Sequence, residues 1–97
     1  MKFSGSQVAA ARYLLGLKQE ELAEAAGVST PTLASFEAGQ ARSHQRSTEK
    51  IGQELARRGI EFTNGTGIGV RLDYKKAAEY SAAQGQTNPS SPTDSRS

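Results

Sequence analysis

QEELAEAAGVSTPTLASFEAG, residues Gln19 to Gly39, constrains the fold more tightly than any other stretch of the chain. Leu22, Ala23 and Ala26 share one face of a helix running from about Lys18 to Ala26, and Gly27 stops it. Gly27-Val28-Ser29 is a short connection, and a second helix follows at once from Ser29 or Thr30. Pro31 stands where a missing N–H costs nothing, Leu33 and Phe36 are the inward candidates, and Ala38-Gly39 ends the helix. Two short helices joined by a turn of about three residues containing Gly have the spacing of a helix-turn-helix.

Upstream, Ser4 and Gln7 have capping-box spacing, with Phe3 and Val8 in the flanking positions of a hydrophobic staple. Val8, Ala11, Leu15 and, one step around, Leu14 continue as an apolar stripe up to Gly16. Downstream, Gln40 to Arg46 is a polar, basic loop. Ser47 or Thr48 then caps a helix to about Arg58, with Ile51 and Leu55 facing in and Gly59 as its stop. Ile60-Glu61-Phe62 and Gly69-Val70-Arg71-Leu72 alternate with period two on either side of Asn64-Gly65, which signals a hairpin. Asp73 to Ala83 can form a last helix, anchored by Tyr74, Tyr80 and alanines. From Gln84 onward there is no large apolar side chain and two of the three prolines occur, so residues 84–97 read as a disordered tail.

Composition bounds the rest. Leu, Ile, Val and Phe fill 16 of 97 positions, and all 16 lie at or before Leu72. A share below about a fifth borders on disorder, yet the net charge is only +2, so self-repulsion does not force expansion. One small domain fits residues 1–72; a second domain, a membrane span and a secretory segment do not. The absence of cysteine excludes disulfide scaffolds, thiol nucleophiles and cysteine-ligated zinc. His44, the single histidine, reads as a solvated loop residue. Gly65, Gly67 and Gly69 are followed by strand rather than helix, which argues against a phosphate-cradling loop. No nucleophile has a base beside it, so the expectation is a protein that is not an enzyme, with no cofactor and no metal. Charge is uneven. Residues 1–39 carry three positive and four negative charges, residues 40–58 five and two, and residues 59–97 four of each. The positive excess thus collects just after the helix-turn-helix, where it can neutralise phosphates.

These residues resemble the lambda-repressor-like family, also called XRE or Cro-like. The features that carry the resemblance are Gln19 opening the first helix of the motif, Leu22-Ala23 within it, Gly27-Val28-Ser29 at the turn and Glu37-x-Gly39 at the end. ARYLLGL fits the family's preceding helix, so the resemblance spans roughly residues 4–58. Gly59 to Leu72 resembles more loosely an extension seen in small bacterial members. It implies a mainly α fold: a four- to five-helix domain with a short C-terminal hairpin and a disordered tail. The expected organisation is a helix-turn-helix domain at 1–58, a hairpin for dimerisation at 59–72, a helix at 73–83 and the tail at 84–97.

The resemblance also implies roles. The Ser29–Gly39 helix becomes a recognition helix in the major groove of double-stranded DNA, with Thr30, Pro31, Thr32 and Ser35 toward the bases because they lie opposite Leu33 and Phe36. Lys18, Gln19, Gln40, Arg42, Ser43 and Arg46 are expected at phosphates. Arg12 and Glu37 match a pair that bridges the first helix to the end of the recognition helix. Lys18 replaces the usual Ser or Thr cap, a loss of roughly 1 kcal/mol. The readout side chains are small and lack a bidentate fork for guanine or adenine. Glu20, Glu21 and Glu24 form an acidic face that matches an RNA polymerase contact in activating members.

A core this small profits from a partner, and a strand edge invites one. Ile60, Phe62, Val70 and Leu72 are therefore expected at a homodimer interface. The functional expectation is a cytoplasmic, nucleoid-associated transcription regulator, by default a repressor, that binds a two-fold operator as a dimer. The alternative is an antitoxin-like or other interaction module that uses residues 59–97 to bind a partner protein.

Overall fold

A computed structural model describes residues 3–40 and 45–84. Helix α1 (Gly5–Leu15) starts on a complete capping box: Ser4 Oγ accepts from the Gln7 N–H at 3.2 Å, and Gln7 Oε1 accepts from the Ser4 N–H at 2.8 Å. Helix α2 (Gln19–Ala26) ends on Gly27, whose φ of 78° lies in the left-handed region that favours glycine. That conformation lets the Val28 N–H reach the Ala23 carbonyl at 3.0 Å and turns the chain toward the next helix. Helix α3 (Thr30–Glu37) is capped by Ser29. Helix α4 (Gln45–Arg57) begins three residues earlier than the Ser47 cap predicts, with the Gln45 amide donating to Glu49 one turn on at 3.3 Å. Arg46 consequently belongs to the first turn of α4 and not to the preceding loop.

Strands β1 (Ile60–Asn64) and β2 (Ile68–Leu72) form an antiparallel hairpin, pairing Ile60 with Leu72, Phe62 with Val70 and Asn64 with Ile68. Because Asn64 still pairs, the loop is Gly65-Thr66-Gly67 rather than a two-residue Asn-Gly turn, and Gly65 does not adopt positive φ. Helix α5 (Tyr74–Ala83) is capped by Asp73, whose carboxylate accepts from the Lys76 N–H at 3.0 Å. Its start closes onto Gly59, where φ is 104° and a side chain would lie 2.9 Å from the Asp73 carbonyl oxygen. No α5 side chain is buried, and Tyr74 is 81% exposed, so it does not serve as the expected anchor.

The core draws on every element except β2 and α5. Val8 and Ala11 of α1 meet Leu22, Ala23 and Ala26 of α2, Leu33 of α3, Ile51 and Leu55 of α4, and Ile60 of β1. Apart from Ile60, these are the inward positions that the periodicity predicts. Leu14 departs from it at 48% exposure, because Ala11 and Leu15 already fill the buried side of α1. Phe3 stacks on Phe62 with centroids 4.8 Å apart and meets Phe36 edge-on at 5.7 Å, so the chain's start ties the hairpin to α3. Gly5 adds a close approach: a Cβ there would fall 2.0 Å from the Phe36 carbonyl oxygen.

Candidate nucleic-acid interface

Three helices are fixed to one another by one carboxylate. Glu37, at the end of α3, is reached by Arg12 Nε at 2.9 Å and by Arg12 Nη2 at 3.0 Å, a two-pronged ion pair. The third donor is Gln19 Nε2 at 2.9 Å, from the first residue of α2. Arg12 also donates to the Leu17 carbonyl at 3.0 Å, so it ties down the α1–α2 connection as well. The Glu37 side chain is 7% exposed and that of Arg12 23%. The hydrogen bond to Glu37, with a further contribution from its charge, holds the Arg12 guanidinium above its ordinary pKa against the opposing effect of burial. Gln19, expected at a phosphate, thus has one amide hydrogen committed to Glu37.

Ser29, at the turn of the motif, accepts from the Thr32 N–H at 3.2 Å and donates to Thr32 Oγ1 at 2.7 Å. Along α3, Pro31 and Ser35 are exposed and Thr30 and Thr32 half-buried, while Leu33 is fully buried and Phe36 packs against the core. Lys18 and Gln40 are exposed, as is Arg46. Lys50 is one turn beyond Arg46 on the same side of α4 and is also exposed, an i,i+4 pair that the sequence reading passed over. Arg42, Ser43 and His44 lie outside the described residues. The acidic Glu20, Glu21 and Glu24 are all exposed, and Glu21 accepts from the Lys18 N–H at 2.7 Å, which supplies part of the cap that Lys18 cannot.

Two other polar groups escaped the sequence reading. Glu54, on the buried side of α4, accepts from Arg57 Nη2 and from Arg58 Nε, each at 2.6 Å, and both guanidiniums also lie over the Tyr80 ring, at 5.0 and 4.9 Å. The pairing with Glu54 raises the pKa of Arg57. The Glu-x-x-Arg-Arg spacing carried this signal, since residues three and four apart on a helix are neighbours. Two of the five positive charges of residues 40–58 are therefore held by a carboxylate of the same segment. The other is the long-range role of Gln7, whose spacing shows only the cap. Its amide is buried and donates to the carbonyls of Thr63 at 3.2 Å and Gly69 at 2.9 Å, clamping the hairpin to α1.

The hairpin's larger apolar side chains meet the core. Ile60 is buried, and Phe62, Val70 and Leu72 pack against the same core, so these four side chains are directed into their own subunit. They occupy one face of the pleat. Ile68, at the hairpin tip, is the strand residue that stays 63% exposed.

Among the described residues no helix is long and apolar enough to cross a membrane, and no group of three or more His, Cys, Asp or Glu could hold a metal ion. Residues 8–48 match a family model described as Helix-turn-helix. No curated protein matches the chain. The matched segment starts within α1 and reaches into α4, so it contains the α2–α3 turn and the Arg12–Glu37–Gln19 cluster. Residues 8–48 therefore carry a helix-turn-helix of the lambda-repressor-like, XRE type, which supports a DNA-binding regulator.

Proposed function

We propose that the protein is a repressor that binds a two-fold operator as a homodimer and acts by occluding the promoter. The observation that carries this reading is the Arg12–Glu37–Gln19 cluster, which fixes α3 while leaving Thr30, Pro31, Thr32 and Ser35 on its unburied side. In this reading α3 enters the major groove, and Lys18, Gln19, Gln40, Arg42, Ser43 and Arg46 meet the flanking phosphates, joined by Lys50. Two copies place two α3 helices at half-sites about one helical turn apart. Selection from a random-sequence duplex pool tests this directly. A preferred sequence with two-fold symmetry and that spacing is expected, whereas recovery of no preferred duplex would overturn it.

The proposed dimer contact builds on the hairpin, where Phe62, Val70 and Leu72 keep part of their surface open. Ser6 and Ala10 of α1 adjoin Ile68 along a shallow groove, and Tyr13 and Leu14 continue the exposed side of α1. In the proposed dimer this strip, beside the hairpin, completes the contact. Sedimentation should find a dimer at tens of micromolar, and Ile68→Asp should shift it to monomer; a wild-type monomer at that concentration refutes the arrangement.

One observation favours the antitoxin-like reading as a second possibility. Helix α5 buries no side chain and presents Tyr74 to solvent, leaving a surface for a protein partner. Truncation after Leu72 separates the two: a regulator retains DNA affinity, while an interaction module loses its partner. A polymerase contact by Glu20, Glu21 and Glu24 belongs to an activating role and predicts that their replacement lowers transcription without changing DNA affinity.

A further inference from the structure

The start of a helix ordinarily offers open N–H groups to acceptors. At α3 that supply is nearly exhausted. Pro31 has no N–H, the Thr32 N–H is taken by Ser29 Oγ at 3.2 Å, and the Leu33 N–H is taken by the Ser29 carbonyl at 3.1 Å. Only Thr30 keeps an uncommitted backbone donor in the first turn. Ser29 Oγ gives its own proton to Thr32 Oγ1 at 2.7 Å, which holds that oxygen back toward the cap. From Thr30 to Ser35 there is no charged side chain and no amide. The outward part of this segment is a proline ring, threonine and serine.

Such a surface has little with which to grip the O6 and N7 acceptors of guanine or the paired donor and acceptor of adenine. The apolar group that base pairs present in the major groove is the 5-methyl of thymine. We infer that α3 reads its operator through pyrimidine 5-methyl groups, with Pro31 and Thr32 as the specificity-determining residues. The inference rests on the DNA-binding reading above and adds the chemical feature that is read. A 5-methylcytosine offers the same methyl group as thymine, so it is a second source of the same contact.

The test uses the full-length protein and the duplex preferred in a thymidine-containing random pool. Each thymidine is replaced singly by deoxyuridine, which removes the methyl and leaves the pairing edge intact. At one or more positions in each half-site the loss should be about four-fold, the worth of one buried methyl-sized group. Replacing a symmetric pair should give about fifteen-fold if the sites add. The Pro31→Ala protein should lose less than two-fold at the same positions. Placing cytosine at such a position and then methylating it distinguishes the sources. A four-fold gain on methylation supports reading of the methyl on either base, and loss with deoxyuridine without that gain supports thymine alone. A preferred duplex that tolerates deoxyuridine at every position overturns the methyl reading and leaves DNA binding standing. A pool that yields no preferred duplex overturns both.

Discussion

Glu37 accepts hydrogen bonds from Arg12 and Gln19, so its loss would leave a largely covered guanidinium without a counter-charge. Arg12 cannot relieve this by deprotonating, because its pKa already lies at the top of the scale. Glu37→Ala should therefore cost about 3 kcal/mol, the lower end for a broken buried pair since Arg12 is partly exposed. Urea denaturation measures it, and a midpoint matching the wild type would rule out a structural role for the pair. Glu37→Gln offers a useful contrast, retaining the shape and one acceptor but losing the charge.

Among the elements, α5 depends on surface contacts. Its cap, the Asp73 carboxylate, has a pKa below the usual aspartate value, chiefly because the Lys76 backbone N–H donates to it. Its charged form thus favours the folded state. The resulting stability is fully present above the ordinary aspartate pKa and disappears as pH falls through the lower folded value. Thermal melting of the wild type and Asp73→Asn should show the wild type more stable at neutral pH, with the two converging in strong acid. A constant difference from pH 7 to pH 2 would show that the charge plays no part. Its further contacts include the stacking of Tyr80 under Arg57 and Arg58 and the approach of Lys76 to Glu61 at 3.4 Å. Exposed pairs of that kind contribute little singly. The capping rules made α5 legible as a helix, whereas its attachment depended on which side chains of α4 it happens to meet.

For the whole molecule, the useful quantity is the positive charge left free for phosphate. Arg57 and Arg58 are engaged by Glu54, and Arg71 by Glu61. Lys18, Arg46 and Lys50 are exposed on or next to the helices of the motif and α4. In a plot of log affinity against log salt, Lys18→Ala and Arg46→Ala should each lower the slope by about 1, while Arg57→Ala should leave it nearly unchanged. Equal effects from all three would mean that the ion pair with Glu54 does not withhold Arg57 from DNA. Composition assigns the five positive charges of residues 40–58 equal standing. Only their packing separates two that hold the fold together from those that can leave it to meet a polyanion.

Local rules account for what could be read directly. Ser4 with Gln7, Gly27 after Ala26, and Ser29 with Pro31 act over one to four residues, and apolar period marks the buried face of each helix, so both survive in a linear sequence. The helix-turn-helix, its boundaries and nearly all of the core follow from them. Long-range choices do not survive in that way. Gln7 has the same spacing whether or not its amide clamps a hairpin some sixty residues away, and Ile60, Phe62, Val70 and Leu72 alternate identically whether they face a partner or their own helices. In the structure they pack against the core that α1 to α4 form. The sequence thus specified the elements and the face that each buries; tertiary packing decided what each face is buried against, and so which polar groups are spent on the fold and which remain for a ligand.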